Sequence, residues 1–335
     1  MKILIIRLSS IGDILLSTAF IRQVRHTFPD AEIDFIIKKR FSDLVRFNPH
    51  INNIYEYDDN DQTSLTKFVK LFKGRYYDYI FDLHNNLRSI YLRNKISAQK
   101  RFHIKKDKLA QTALVKLKWR LYDKLKTIPE RYSEVGSAAG LVDDGLGLEV
   151  FWSKQIEKEV SGKFREKEID MSRPSIGLAP GAGYFTKRWP LEYFEQIIEH
   201  INKKGGLNIL VIGGEGEAEL GNRLDNFENV YNFAGILNIL ESGAAISKLR
   251  CLISNDSGMM HMATSVQTPV VAIFGSSVQE FGFFPYRSKG SVLENENLAC
   301  RPCSHIGKDS CPQNHFKCMY DIYPDQVYNK LLKVI

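Results

Sequence analysis

Three short groups of residues in this 335-residue chain have the types and spacing needed for group transfer to or from an anion. The first is Asp256-Ser257-Gly258-Met259-Met260-His261, which sits between two apolar runs, Cys251 to Ser254 and Val270 to Phe274. Such runs are the pattern of strands covered on both faces, and the residues between them read as a polar turn followed by a helix to about Ser265. The N-terminus of that helix would offer free N–H groups at the carboxyl end of a strand, an arrangement suited to phosphate. Asp256 and Ser257 also read as ordinary caps, with His261 packed beneath. The second group is Gly181-Ala182-Gly183-Tyr184-Phe185-Thr186-Lys187-Arg188, where Gly181 and Gly183 leave backbone room for a phosphate and Lys187 and Arg188 supply charge. The plainer alternative makes these cations solvated and Trp189 a packing residue. The third is Ser9-Ser10-Ile11-Gly12-Asp13, at the end of the first apolar run, where Asp13 reads either as a helix cap or as a general base within reach of an acceptor hydroxyl. A looser candidate is Glu217, beyond Gly213-Gly214, which reads as a ribose contact or as a first-turn acid favoured by the helix dipole.

The elements that would position these groups alternate strand and helix in both halves. In the first half, strands are expected at Ile3 to Leu8, Ile33 to Ile37, Ile54 to Tyr57 and Tyr79 to Leu83, with helices near Asp13 to Thr27, Phe41 to Phe47 and Leu65 to Phe72. The second half restarts with strands at Ser175 to Ala179 and Asn208 to Ile212, and helices at Leu191 to Lys203, Glu217 to Phe227 and Ile239 to Lys248. This is an α/β chain of two Rossmann-like domains, expected to face each other across a cleft. The boundaries are 1–168, 169–322 and a C-terminal helical segment 323–335. Phe151 to Arg173 is charged and reads as a linker with a peripheral helix. The first turn carries only Gly12, not G-x-G-x-x-G, which argues against a nicotinamide-dependent oxidoreductase.

Taken together, Ser10-Ile11-Gly12-Asp13, Lys187-Arg188-Trp189-Pro190 and Asp256-Ser257-Gly258-Met259-Met260-His261 resemble, in order and spacing over nearly the whole chain, the bacterial lipopolysaccharide heptosyltransferases, the family 9 glycosyltransferases. The resemblance implies a GT-B fold with the donor held mainly by the C-terminal domain, and an inverting transfer that needs no metal cofactor. It implies that Asp13 is the catalytic base and Lys187 the donor-phosphate lysine. Asp256, Ser257, Gly258 and His261 match the donor loop, and Glu217 matches more loosely a nucleoside contact. Ala182 stands where some members carry a hydroxyl residue, which Thr186 would partly replace. The donor expected is ADP-heptose and the acceptor a lipid-linked inner-core saccharide. The alternatives are a member using another nucleotide sugar and a non-catalytic binder of nucleotide sugar or anionic lipid.

Net charge is +7, which favours an anionic partner. From Lys100 to Lys126 there are ten Lys or Arg against two Asp, with Leu109, Ala113, Leu114, Leu117, Leu121 and Leu125 at helical spacing. This reads as a basic amphipathic helix, either packed on the N-domain sheet with a solvated face or turned to anionic lipid or a phosphorylated acceptor. Ser10, Gly12, Lys105, Lys106 and Lys108 are the expected acceptor-binding residues. Nucleic acid is not expected, since no binding module or stacking platform is apparent. No apolar run approaches the roughly 20 residues of a spanning helix, and Lys2-Ile3-Leu4-Ile5-Ile6 is unlike a signal peptide. The expected location is cytoplasmic, peripheral at the inner face of the cytoplasmic membrane. Cys251 reads as a core residue, while Cys300, Cys303, Cys311 and Cys318 read as a structural zinc site or as reduced thiols.

Overall fold

A computed structural model describes residues 1–58 and 65–335, which divide into two compact units: Met1–Asp107 with Lys126–Phe151, and Lys108–Leu125 with Trp152–Ile335. The first unit holds strands β1 (Lys2–Ile6), β2 (Glu32–Lys38), β3 (Asn53–Tyr57), β4 (Tyr77–Asp82) and β5 (Ala98–His103). All pair in parallel, in the order β3-β2-β1-β4-β5. The apolar run of β1 takes the centre because Ile3, Leu4, Ile5 and Ile6 are wholly buried, as a strand covered by helices on both faces requires. Order reverses between β1 and β4, so a crevice opens beyond their carboxyl ends. The helix Ile11–Thr27 begins there, directly after β1.

The second unit carries β6 (Ser175–Ala179), β7 (Asn208–Val211), β8 (Val230–Asn232), β9 (Leu252–Asn255), β10 (Val270–Phe274) and β11 (Gly290–Glu294). These are again parallel, in the order β11-β10-β9-β6-β7-β8, and here the reversal lies between β6 and β9. The helix Leu191–Lys204 buries Phe194, Ile197, Ile198 and Ile201, a spacing of three and four residues that puts one stripe on the sheet. It stops at Gly205, whose φ of 72° favours a residue without Cβ. Helix Lys154–Glu166 closes the other side, packing on helix Ile239–Ile246 with Val160 and Phe164 buried. Both units are parallel α/β sheets flanked by helices, the class expected from the sequence.

One expectation requires correction. Residues 100–126 are not one helix on the N-domain sheet. Lys100 to His103 belong to β5, the helix is only Lys108–Leu117, and residues 108–125 group with the second unit. The C-terminal helix, Pro324–Leu332, packs on helix Leu191–Lys204, placing Val327 and Leu331 in the core beneath the second sheet. Among the described residues no helix is long and apolar enough to cross a membrane.

Candidate functional site

In the first unit, β1 delivers Arg7 and the following turn delivers Asp13 to the point where strand order reverses. Arg7 Nη2 lies 2.6 Å from Asp13 Oδ1, and Arg7 Nη1 donates to the Leu83 carbonyl just after β4. The Ser10 N–H and hydroxyl donate to Asp13 Oδ2 at 3.3 and 3.1 Å. Asp13 therefore does brace the start of its helix, but its side chain remains 23% exposed, and a carboxylate oxygen has more than one lone pair. Burial pushes the Asp13 carboxyl up, yet the Arg7 guanidinium and the Ser10 donors outweigh it and hold it below its ordinary value. Ser10 is exposed and Gly12 partly so. His84, at the end of β4, is pushed down to about 3 by burial and by the charges of Arg7 and Lys106. It is neutral at physiological pH. Lys105 and Lys106 are exposed beyond β5 in this unit, whereas Lys108 opens the helix that groups with the second. The expected acceptor set is thus divided between the two units.

In the second unit, the turns after β6, β7 and β9 come together at the other reversal point. Lys187 Nζ is 2.7 Å from Asp256 Oδ2, which also accepts the Ser277 hydroxyl at 2.5 Å. Asn255, at the end of β9, fixes the glycine turn to this strand. Its amide donates to the Pro180 carbonyl at 2.7 Å, and its oxygen accepts the Trp189 N–H at 3.0 Å. The glycines have a specific reason. A Cβ on Gly181 would fall 1.6 Å from Glu217 Oε1, and one on Gly213 would fall 2.5 Å from Oε2, because the Glu217 carboxylate is laid across both turns. The Gly214 N–H holds it there at 2.8 Å. Burial raises the Glu217 carboxyl against the opposing effects of that N–H and of the Arg188 charge.

The remaining expected donor residues are placed less uniformly. Gly183 and Arg188 are exposed, and Arg188 Nε ties to the Ala182 carbonyl at 2.8 Å. Thr186 is buried, its hydroxyl taking Ser276 Oγ at 3.1 Å and the Lys308 N–H at 2.9 Å, so it knots the turn to neighbouring segments. Ser257 precedes the helix Gly258–Ser265 in extended conformation, and its hydroxyl meets that of Ser254 at 3.2 Å. His261 lies within this helix, only 3% exposed, with its ring against Phe283. The sequence reading gave no role to Arg7, His84 or Asn255, although Arg7 and Asn255 begin the first loop and the D-S-G turn. A basic residue ending a central strand and an amide before the D-S-G turn are the only local signals for them.

Of the two readings of the cysteines, reduced thiols match their state in the structure. All five are free, and among the described residues no group of three or more His, Cys, Asp or Glu side chains is placed to hold a metal ion. Cys300 lies 3.7 Å from His315 Nε2, Cys311 accepts the Phe316 N–H at 3.4 Å, and Cys318 is buried in the apolar core. The four thiols Cys300, Cys303, Cys311 and Cys318 lie near one another, and the zinc alternative gains no support from their placement.

A model of the family described as glycosyltransferase family 9 (heptosyltransferase) matches residues 65–312. The chain is 23% identical to lipopolysaccharide heptosyltransferase 2 of Escherichia coli K12, over 99% of this chain and 97% of that protein. Among solved structures, a family 9 glycosyl transferase from Veillonella parvula superposes with a TM-score of 0.84 at 22% identity, covering 99% of this chain and 96% of that one. An E. coli heptosyltransferase solved with ADP-2-deoxy-2-fluoro heptose gives 0.70 at 16% identity, covering 99% of each.

Proposed function

This chain belongs to glycosyltransferase family 9, and on that premise we propose that it moves a heptose from ADP-heptose onto an inner-core saccharide of lipopolysaccharide, by one inverting displacement without a metal cofactor. The observation that carries the reading is the Lys187–Asp256 pair at the β6/β9 reversal, beside the glycine turn and the helix start at Gly258. A cation held this way, next to free N–H groups, suits the oxygens of a nucleoside diphosphate. Gly181 and Gly183 would let the phosphates approach the backbone, Glu217 would take the nucleoside hydroxyls, and Arg188, Asp256, Ser257, Gly258 and His261 would shape the pocket. Thr186 acts through the turn it fastens.

Asp13 serves the other end of the reaction. The acceptor hydroxyl oxygen attacks the anomeric carbon opposite the diphosphate, the carbon–oxygen bond to the β-phosphate breaks, and ADP departs with that bond's electron pair. The hydroxyl proton passes to Asp13. Lys187 and the helix N-terminus at Ser257 to Met259 stabilise the charge that grows on the leaving diphosphate, a task that a divalent ion performs in other transferases. Ser10, Gly12 and the cations Lys105, Lys106 and Lys108 would position a phosphorylated saccharide acceptor. Because that acceptor is lipid-linked, the enzyme works peripherally at the inner face of the cytoplasmic membrane. The relative from E. coli K12 carries the name of such an activity, and a neighbour was solved with an ADP-sugar analogue.

The test is transfer from ADP-heptose to a core acceptor lacking its heptose, in EDTA, with product followed by mass, alongside calorimetric titration with ADP, UDP and GDP. Mass gain of one heptose and preference for ADP support the reading. Preference for UDP or GDP would overturn the donor, and transfer that appears only when magnesium is added would overturn the metal-free mechanism.

A further inference from the structure

Residues 108–125 are fixed to the second unit with several large apolar side chains left exposed. The helix Lys108–Leu117 buries Leu114 against Val278 and Phe281, with Val115 and Tyr122 packed on the same cluster. At Lys118 the chain turns into the left-handed region, φ 60°, and the helix ends. Lys118 Nζ then donates to the carbonyls of Val115 at 2.8 Å, Cys300 at 3.1 Å and Pro302 at 2.7 Å. Two residues on, Arg120 pairs at 3.1 Å with the buried Glu280, and two further on comes Tyr122. Lys118, Arg120 and Tyr122 thus hold the protein, although Lys118 and Arg120 stay exposed themselves. Leu117 at the helix end, and Trp119 and Leu121 between these residues, are 54%, 61% and 59% exposed. Leu125 is 54% exposed and Leu109, on the helix, 87%. Five large apolar side chains left in water within seventeen residues are more than isolated surface hydrophobics.

Charge narrows the choice of partner. Lys108, Lys116 and Lys124 are exposed alongside these apolar groups, and Asp123 is the single acid in the segment. A second copy would bring like charges together across a two-fold contact. A polyanion alone would leave Trp119 and the leucines in water. An anionic bilayer satisfies both, since a Trp ring sits at headgroup level, leucines enter the acyl boundary and lysines meet the headgroup charge.

We propose that residues 109–125 form a docking strip that seats the second unit in the headgroup layer of an anionic membrane. The strip deepens the lipid-linked acceptor reading and rests on it for its purpose, while its physics rests on the contacts above. The test floats the full chain with vesicles of phosphatidylcholine alone, and of phosphatidylcholine with phosphatidylglycerol. It compares wild type with Trp119→Ser/Leu121→Ser and with Lys116→Glu/Lys124→Glu. Transfer to a delipidated, water-soluble acceptor is measured in parallel. Wild type should float with anionic vesicles and progressively less as salt rises. The apolar double variant should bind at least about tenfold more weakly, the charge variant should lose the preference for anionic vesicles, and all should act equally on the soluble acceptor. Wild type that stays with the pellet, a double variant that floats as well as wild type, or a dimer that the double variant dissolves would each overturn the strip. Floating without transfer to any acceptor would leave the strip standing and overturn the transferase reading instead.

Discussion

Replacing Lys187 by Met removes the ammonium and leaves Asp256 with the Ser277 hydroxyl as its nearest donor. Breaking a buried pair from one side typically costs about 3 to 5 kcal/mol. The Lys187 side chain keeps 15% exposure and Asp256 only 5%. Water can therefore reach the site from the lysine side, so the low end, about 3 kcal/mol, is expected. Adding Asp256→Asn removes the stranded charge and should restore most of that stability. Transfer should behave differently. Loss of one fixed cation at a charge-developing oxygen costs about 10²- to 10³-fold in rate, and the neutral double variant has no cation to offer. The assay pairs urea unfolding, read from the fluorescence of the buried Trp189, with initial rates of sugar transfer. Stability should recover in the double variant while activity stays low. Recovery of both together would refute the reasoning, because Lys187 would then serve only to neutralise Asp256.

Asp13→Asn should lower transfer by about 10²- to 10⁴-fold while donor affinity stays nearly unchanged. Its folded carboxyl is held low, so the acid limb of kcat/KM in wild type should fall below the ordinary Asp value of about 4, and a limb near neutrality would count against Asp13 as the base. His84 titrates near 3 in the fold and near 6.5 when unfolded, so the unfolded state binds the extra proton between those values and stability declines as pH falls through that window. Between pH 7 and 5, wild type should therefore lose about 1 to 2 kcal/mol more than His84→Asn, measured by urea unfolding at both pH values. Gly181→Ala should act through Glu217, whose flexible end can swing away from the new Cβ. It should cost little stability yet lower donor affinity as much as Glu217→Ala does, with no further loss when the two are combined in a calorimetric titration.

The sequence made the central strands legible because β1, β9 and β10 are unbroken apolar runs, a signal that survives without tertiary context. It hid β5, Ala-Gln-Lys-Arg-Phe-His, an edge strand with mostly exposed side chains, and β8, only three residues long. The stretch after β5 misled for a definite reason. Leu114, Leu117, Leu121 and Leu125 keep helical spacing, while Leu117-Lys118-Trp119-Arg120-Leu121 also alternates with period two. The left-handed turn at Lys118 decides for the second pattern, and its stabilising bonds come from carbonyls more than 180 residues away. Lys187, Asp256 and Glu217 were readable from glycine and cation placement at strand ends. Arg7 and Asn255 were not, because their partners, Asp13 aside, lie on other strands. The cysteine spacing brought Cys300, Cys303, Cys311 and Cys318 into one neighbourhood, where Cys300 also meets His315 and Cys311 the Phe316 N–H.

Each sheet reverses its strand order once, and the Arg7–Asp13 and Lys187–Asp256 pairs at the two reversals have opposite arrangements, Arg93–Asp82 standing beside the first. In the first unit the cation is the more buried partner, Arg7 at 8% exposure against 23% for Asp13. In the second the anion is the more buried, Asp256 at 5% against 15% for Lys187. The deeper member fixes the outer one, and the outer member is the one a ligand can reach. A displacement at an anomeric carbon needs this opposition, with a negative group where a hydroxyl proton is given up and a positive group where a diphosphate leaves. In the proposed reaction, two copies of either arrangement would serve only one end. The same parallel sheet, used twice with the polarity of one salt bridge exchanged, would supply both.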